Sequence, residues 1–180
     1  ELPATHPLVS LQLSSAGLLS LSDVGLQPLH LTSLDFSNNN VDELPRVIGD
    51  CVHLTSLICA RNRLTVLPAT LRALCKLQFL DLGSNQLSIL TPAIEGCTML
   101  RSLNLRGNAL RKLPPTMHYL RRLRSLDVSN NQLESLPIEI GGCKSLTTLD
   151  LSGNGSRIPF HRSRFISQLP LQCGLLPNLT

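Results

Sequence analysis

A chain of 180 residues, 42% of them hydrophobic, is long enough to bury one substantial core; with 3% aromatics and no Trp that core has to be aliphatic, chiefly leucine. No stretch approaches the ~18 consecutive apolar residues that a membrane-crossing helix needs, so none is expected. The net charge of +4 is uneven, with 5 Lys/Arg against 7 Asp/Glu in residues 1–90 and 11 against 5 in residues 91–180; a solvated basic surface is expected at the C-terminal half, with an acidic partner as the alternative.

The elements follow one frame along the chain. It opens weakly at Leu8 with LVSLQLSSA. It returns as LTSLDFSNN from Leu31, LTSLICARN from Leu54, LQFLDLGSN from Leu77, LRSLNLRGN from Leu100, LRSLDVSNN from Leu123 and LTTLDLSGN from Leu146. Each start lies 23 residues after the last, which marks an internal repeat. Leu34 and Phe36 alternate with Ser33 and Asp35, and a period of two predicts a short strand with one buried face. One such strand cannot bury its face alone. The units therefore have to stack, with parallel strands about 4.8 Å apart and the leucine columns merging into one core.

Between strands run VDELPRVIGDCVH, LTVLPATLRALCK, LRKLPPTMHYLRR and LESLPIEIGGCKS. Apolar sets such as Leu113, Met117 and Leu120, or Leu136, Ile140 and Cys143, suit a short helix or 3-10 turn on the outer side. An outer layer wider than the strands bends the stack into a horseshoe.

The frame L-x-x-L-x-L-x-x-N-x-L, running from Leu8 to Asn154, resembles the leucine-rich repeat family. The shared L-P-x-x-(I/L/M) of the outer segments resembles its intracellular Ras-group class of signalling scaffolds, plant intracellular relatives and Roco-type proteins. The unit from Leu77 departs from that class, with Leu90-Thr91-Pro92 in place of Leu-Pro. The resemblance implies an α/β fold, a right-handed solenoid with a parallel sheet on its concave face and short helices or 3-10 turns on the convex face. Residues 1–180 are expected to form a single domain of this kind.

Asn39, Asn62, Asn85, Asn108, Asn131 and Asn154 form a column at the turn leaving each strand. A buried amide must satisfy its donors and acceptor, and a stacked Asn can do so on its own and the adjacent turn, so the column is expected to be structural. Ala16 takes this place in the first unit, as in a cap-like terminal repeat.

Of six cysteines, Cys51, Cys97 and Cys143 share one core position in alternate repeats. That puts them about 10 Å apart, beyond the ~7 Å Cα separation a disulfide tolerates. Cys59 replaces a strand leucine, Cys75 is expected to face outward, and Cys173 lies in the tail. No cysteine cluster of the sort that caps extracellular family members is visible. The cysteines and the class together predict a reducing, cytoplasmic setting. The sequons at Asn154 and Asn178 weigh less, since the first uses a column Asn.

No phosphate-cradling glycine motif follows a strand. His6, His30, His53, His118 and His161 are scattered without a Cys or carboxylate partner. Asp35, Asp81, Asp127 and Asp150 recur at one position and read as a solvated face rather than a cation site. No enzyme, cofactor, metal or small-molecule substrate is expected.

Most exposed strand positions hold small polar residues. Phe79 and Ile58 break that rule in adjacent repeats, with Arg61, Arg63 and Arg106 expected around them. A large apolar group rimmed by arginine resembles an interaction hot spot. The expected partner-binding set is Ile58, Arg61, Arg63, Phe79, Asp81, Asn104, Arg106 and Asp127. A second, basic set comprises Arg101, Arg111, Lys112, Arg121, Arg122 and Arg124, with Arg101, Arg121, Arg122 and Arg124 forming an edge. Few aromatics accompany it, which argues against nucleic acid and for an acidic protein. The expected function is protein recognition in an intracellular signalling or assembly context. The alternatives are the recognition module of a larger kinase, Roco-type GTPase, phosphatase or ubiquitin ligase, and an extracellular receptor ectodomain.

The pattern breaks after Asn154. Ile158-Pro159 comes one residue early, and the next frame leucine falls at Leu176. The segment Gly155–Cys173 is expected to be an enlarged outer segment, with Phe165, Ile166 and Leu169 as the apolar stripe of a helix that Pro170 ends. Phe160 and Phe165 are expected to pack over the core, while Arg157, His161, Arg162 and Arg164 face solvent. A handover to another domain, with Leu176 onward as linker or further unit, is the alternative. The chain opens at Glu1 without Met and stops at LLPNLT, and is expected to be part of a longer polypeptide.

Overall fold

A computed structural model describes residues 10–20 and 30–154. The expected first frame residue Leu8, the enlarged segment Gly155–Cys173 and the restart at Leu176 lie outside the described residues.

Each strand is three residues long with leucine at its centre: β1 Ser10–Gln12, β2 Ser33–Asp35, β3 Ser56–Ile58, β4 Phe79–Asp81, β5 Ser102–Asn104, β6 Ser125–Asp127 and β7 Thr148–Asp150. They form one parallel sheet in sequence order. The register pairs equivalent positions, so Leu34, Leu57, Leu80, Leu103, Leu126 and Leu149 make one continuous column. All six are buried, and Phe36 is the largest side chain sealed beneath the sheet. The stacked repeat solenoid with one parallel sheet that the resemblance implies is the architecture observed.

Among the described residues the outer layer consists of five 3-10 turns, Arg46–Asp50, Ala69–Ala73, Pro92–Gly96, Pro115–Tyr119 and Ile138–Gly142, with no longer helix. Proline explains their start. Pro45, Pro68, Pro114 and Pro137 hold φ between −65° and −71° with extended ψ. The chain therefore arrives straight, and each proline carbonyl accepts the N–H three residues on, as from Ile48 to Pro45. The Leu77 unit solves the same problem differently. Thr91 Oγ1 accepts the Ala93 N–H, and Pro92 occupies the first position of the turn. The core lies between sheet and turns, with Leu71, Ile94, Met117 and Ile140 entering from the outer side.

Candidate functional site

The register places two columns of side chains on the exposed face of the sheet. One reads Ser10, Ser33, Ser56, Phe79, Ser102, Ser125, Thr148; the other reads Gln12, Asp35, Ile58, Asp81, Asn104, Asp127, Asp150. Phe79 sits opposite Ser56 and Ser102, and Ile58 sits opposite Asp35 and Asp81. The small serines leave space beside the ring. Ile58 and Phe79 line a hollow of about 460 Å3, together with Ser56, Leu80, Asp81, Ser102 and Asn104. Phe79 is 52% exposed and Ile58 half-buried. Four expected site residues, Ile58, Phe79, Asp81 and Asn104, thus share one surface feature, while Asp127 lies one strand beyond it.

The carboxylate column does more than face solvent. Asp35, Asp81, Asp127 and Asp150 each accept the backbone N–H two residues on, at 2.8–2.9 Å, and Asn104 does the same for Arg106 at 3.0 Å. One oxygen of each is committed to holding its own turn. The Ser152 N–H and then its hydroxyl hold the Asp150 carboxyl below the usual carboxylate range; partial burial opposes them and Arg106 adds to them.

The three arginines do not line the hollow. Arg61 occupies a turn with φ 56° and its guanidinium reaches back toward Asn38 Oδ1, 3.5 Å away. Arg63 follows the buried Asn62, and its N–H donates to the Val41 carbonyl beyond the strand end. Arg106 is exposed and its charge acts on Asp150, two repeats on. The hollow itself is lined by one carboxylate, Asp81, beside serines and the Asn104 amide. The sequence positions of these arginines belong to the turn, not to the sheet.

The asparagine column closes the strand exits. Asn85 Oδ1 accepts the Leu64 N–H of the preceding unit at 3.0 Å. Its amide donates to the Cys59 carbonyl of that unit and to Leu82 of its own, each at 3.0 Å. Asn39, Asn62, Asn108, Asn131 and Asn154 repeat the arrangement, accepting from Leu18, Val41, Leu87, Leu110 and Leu133 respectively.

The basic set divides between two edges. Arg101, Arg121, Arg122 and Arg124 are exposed where the chain enters its strands. Arg111 and Lys112 lie past the strand exits, in an open groove of about 980 Å3 with Ile89, Leu113, Pro115 and Glu134. Two exposed aliphatics on the outer segments, of which Ile89 lines this groove, are absent from the expected site residues. Val66 and Ile89, 60% and 68% exposed, occupy the same position in adjacent repeats. Glu43, Lys112 and Ser135 stand there in other units, so a column-by-column comparison of the outer segments carries the signal.

Cys51, Cys59, Cys75, Cys97 and Cys143 are thiols outside any disulfide, and all but Cys75 are buried. Burial pushes the Cys97 thiol up to about 12, with a smaller effect from Cys75. Burial also raises Cys59 well above the usual thiol range, reinforced by the charges of Asp81 and Asp35. Among the described residues no three His, Cys, Asp or Glu gather as metal ligands, and no helix is long and apolar enough to cross a membrane.

Leucine-rich repeat family models match residues 30–51, 52–110 and 98–155. No curated protein matches the sequence. Solved structures do. A leucine-rich repeat protein of Leptospira interrogans is 34% identical with a TM-score of 0.66, over 68% of this chain and 31% of that one. The functional domain of InlJ from Listeria monocytogenes, which includes a cysteine ladder, is 26% identical with a TM-score of 0.70, over 82% and 30%. The ectodomain of the receptor kinase SOBIR1 from Arabidopsis thaliana is 28% identical with a TM-score of 0.62, over 70% and 72%. The chain spans about a third of the length of the two bacterial structures.

Proposed function

The chain belongs to the leucine-rich repeat family, and on that premise we propose that it is a recognition module that captures a protein partner on the exposed face of its sheet. The observation that carries this reading is the hollow beside Phe79. A large ring and Ile58 stand on a face otherwise built of serine, threonine, amides and carboxylates, in a sheet whose backbone is tied from repeat to repeat. Such a surface is preformed, so little ordering cost opposes binding.

The chemistry of the face selects its partner. Asp35 and Asp81 flank Ile58 in the register, and Asp127 and Asp150 continue their column along the sheet, so this face suits a segment carrying an apolar anchor flanked by Lys or Arg. The acidic partner suggested by the overall charge does not fit here. We place the module inside the cell, in a signalling or assembly protein of the Ras-group class. The L-P-x-x-(I/L/M) outer segments and the buried cysteines outside any disulfide support that setting. A larger enzyme using these repeats for recognition is compatible with the same surface. An extracellular receptor role is the second reading, favoured by the likeness to the SOBIR1 ectodomain. Thiol titration of the native protein separates the two. Free thiols in protein recovered from its source support the intracellular setting, and oxidised ones support the receptor.

A displayed random-peptide library selected on the wild-type chain and counter-selected on Phe79→Ala tests the site. Enriched peptides should pair an aromatic or large aliphatic residue with Lys or Arg, and should bind Phe79→Ala at least ~10-fold more weakly. Peptides that bind both proteins equally would move the site away from the hollow.

A further inference from the structure

We propose that the edge where the chain enters its strands is a second docking surface, a ladder of cations that takes an extended acidic segment of a protein partner. It rests on a different observation from the sheet-face reading. The positions flanking the first leucine of each frame carry Lys76, Arg101, Arg121, Arg122, Arg124 and Lys144, all exposed. His30 and His53 extend the same edge toward β2 and β3. Every described repeat from β2 to β7 supplies at least one basic group, and no Asp or Glu occupies these positions among the described residues. Sequence reading found the arginine end of this ladder but not its continuation across the earlier repeats.

The backbone beneath is already committed. The Arg101 N–H donates to Gln78, the Arg124 N–H to Arg101 and the Thr147 N–H to Arg124, each at 2.8 Å. A partner therefore cannot add as another strand here, and recognition has to run through side chains. At the histidine end, Lys76 Nζ lies 3.1 Å from His53 Nδ1, and the His30 and His53 rings are 5.5 Å apart. That end is partly self-paired. At the other end, no carboxylate among the described residues lies within ion-pair distance of Arg101, Arg121, Arg122, Arg124 or Lys144; the ion pair observed, Arg72 with Glu95, sits between outer turns. The arginine end is thus the anchor.

Four Lys/Arg rungs at about 4.8 Å span roughly 14 Å, and the two histidine positions extend the edge to roughly 24 Å, the reach of about seven extended residues. Single-stranded nucleic acid is disfavoured because it needs aromatic rings to stack on. Tyr119, the exposed aromatic preceding Arg121, lies against His118 with ring centroids 4.0 Å apart and the planes tilted by 36°. A membrane surface is disfavoured because Tyr119 is the single large exposed hydrophobic beside the arginines among the described residues, with no exposed aliphatic to insert with it. A linear run of carboxylates matches both the sign and the length.

Fluorescence anisotropy of an end-blocked poly-Glu peptide of about eight residues tests this on the full 180-residue chain. Binding should weaken by an order of magnitude or more between roughly 0.15 M and 0.5 M salt. Arg121→Glu/Arg122→Glu/Arg124→Glu should lose it, and the milder Arg122→Gln/Arg124→Gln should weaken it several-fold with an unchanged circular dichroism spectrum. Phe79→Ala should bind poly-Glu as wild type does, which separates this surface from the sheet face. No binding by wild type, equal binding by the arginine variants, or equal loss in Phe79→Ala would overturn the proposal. Tighter binding of anionic phosphatidylserine vesicles or of an oligo-dT strand than of poly-Glu would also overturn it.

Discussion

Arg61 shows a residue at odds with its backbone. Its φ of 56° is the left-handed region, where Gly107 and Gly153 serve in other repeats and Asn38 and Asn130 in two more. A long side chain there costs on the order of 1 kcal/mol, and the one contact it makes is a marginal 3.5 Å approach to Asn38. Arg61→Gly should therefore stabilise the fold by up to about 1 kcal/mol in urea titration; a lowered midpoint would give that contact more weight. The buried thiols carry a pH signature. Cys97 is held protonated up to about 12 by burial, whereas an unfolded thiol titrates near 8.5. Its folded value is the higher one, so its contribution is complete below about pH 8.5 and is lost as pH rises toward 12. Between about pH 8 and pH 11 the melting temperature should fall less steeply in Cys97→Ala than in wild type, and parallel slopes would show that the thiol does not titrate in that range. The cysteine positions alone indicated burial; the size of the effect comes from the packing around each sulfur.

At the scale of elements, the outer turns pack more tightly than their sequences suggest. A Cβ added at Gly96 would lie 1.9 Å from the Arg72 carbonyl oxygen and 2.6 Å from its Cα. Backbone cannot move aside as a side-chain tip can. Gly96→Ala should cost about 1–3 kcal/mol, measured by denaturation; a cost near zero would mean that the two turns can part. The corresponding residues in other units are Asp50, Ala73, Tyr119 and Gly142, so nothing in the sequence marks Gly96 as the tight point. The strands were easier to read. Three residues with a central leucine, repeated every 23, leave one way to bury the leucines and one register between neighbours. The substitution of Leu90-Thr91-Pro92 for Leu-Pro looked like a departure from the pattern. The turn still forms, because a threonine hydroxyl and a proline at the first position do the work of the missing proline cap.

Across the whole molecule, stability passes from repeat to repeat through inter-unit bonds. Asn85 accepts from Leu64 and donates to Cys59 in the preceding unit while also closing its own turn. Asn85→Leu leaves the buried Leu64 N–H unpaired, at roughly 1–3 kcal/mol, and removes one of two donors from the Cys59 and Leu82 carbonyls, which keep Asn62 and Asn108. Hydrogen exchange should lose protection in both β3 and β4 strands and their exits, not in β4 alone. Protection lost only after β4 would mean that the column acts within repeats rather than between them. The same stacking separates charge: carboxylates collect on the sheet face, while arginine and lysine collect on the entry edge. The sequence by itself determined the solenoid, the strand register and the asparagine column, because a fixed period makes every equivalent position a neighbour of its copies. It also placed Phe79 and Ile58 together, since both lie on strands. Only the tertiary structure decided that Arg61, Arg63 and Arg106 leave the hollow and that the basic set divides between two edges. Those residues sit in turns and segment ends, where the direction of a side chain follows backbone angles and neighbouring contacts rather than the repeat spacing.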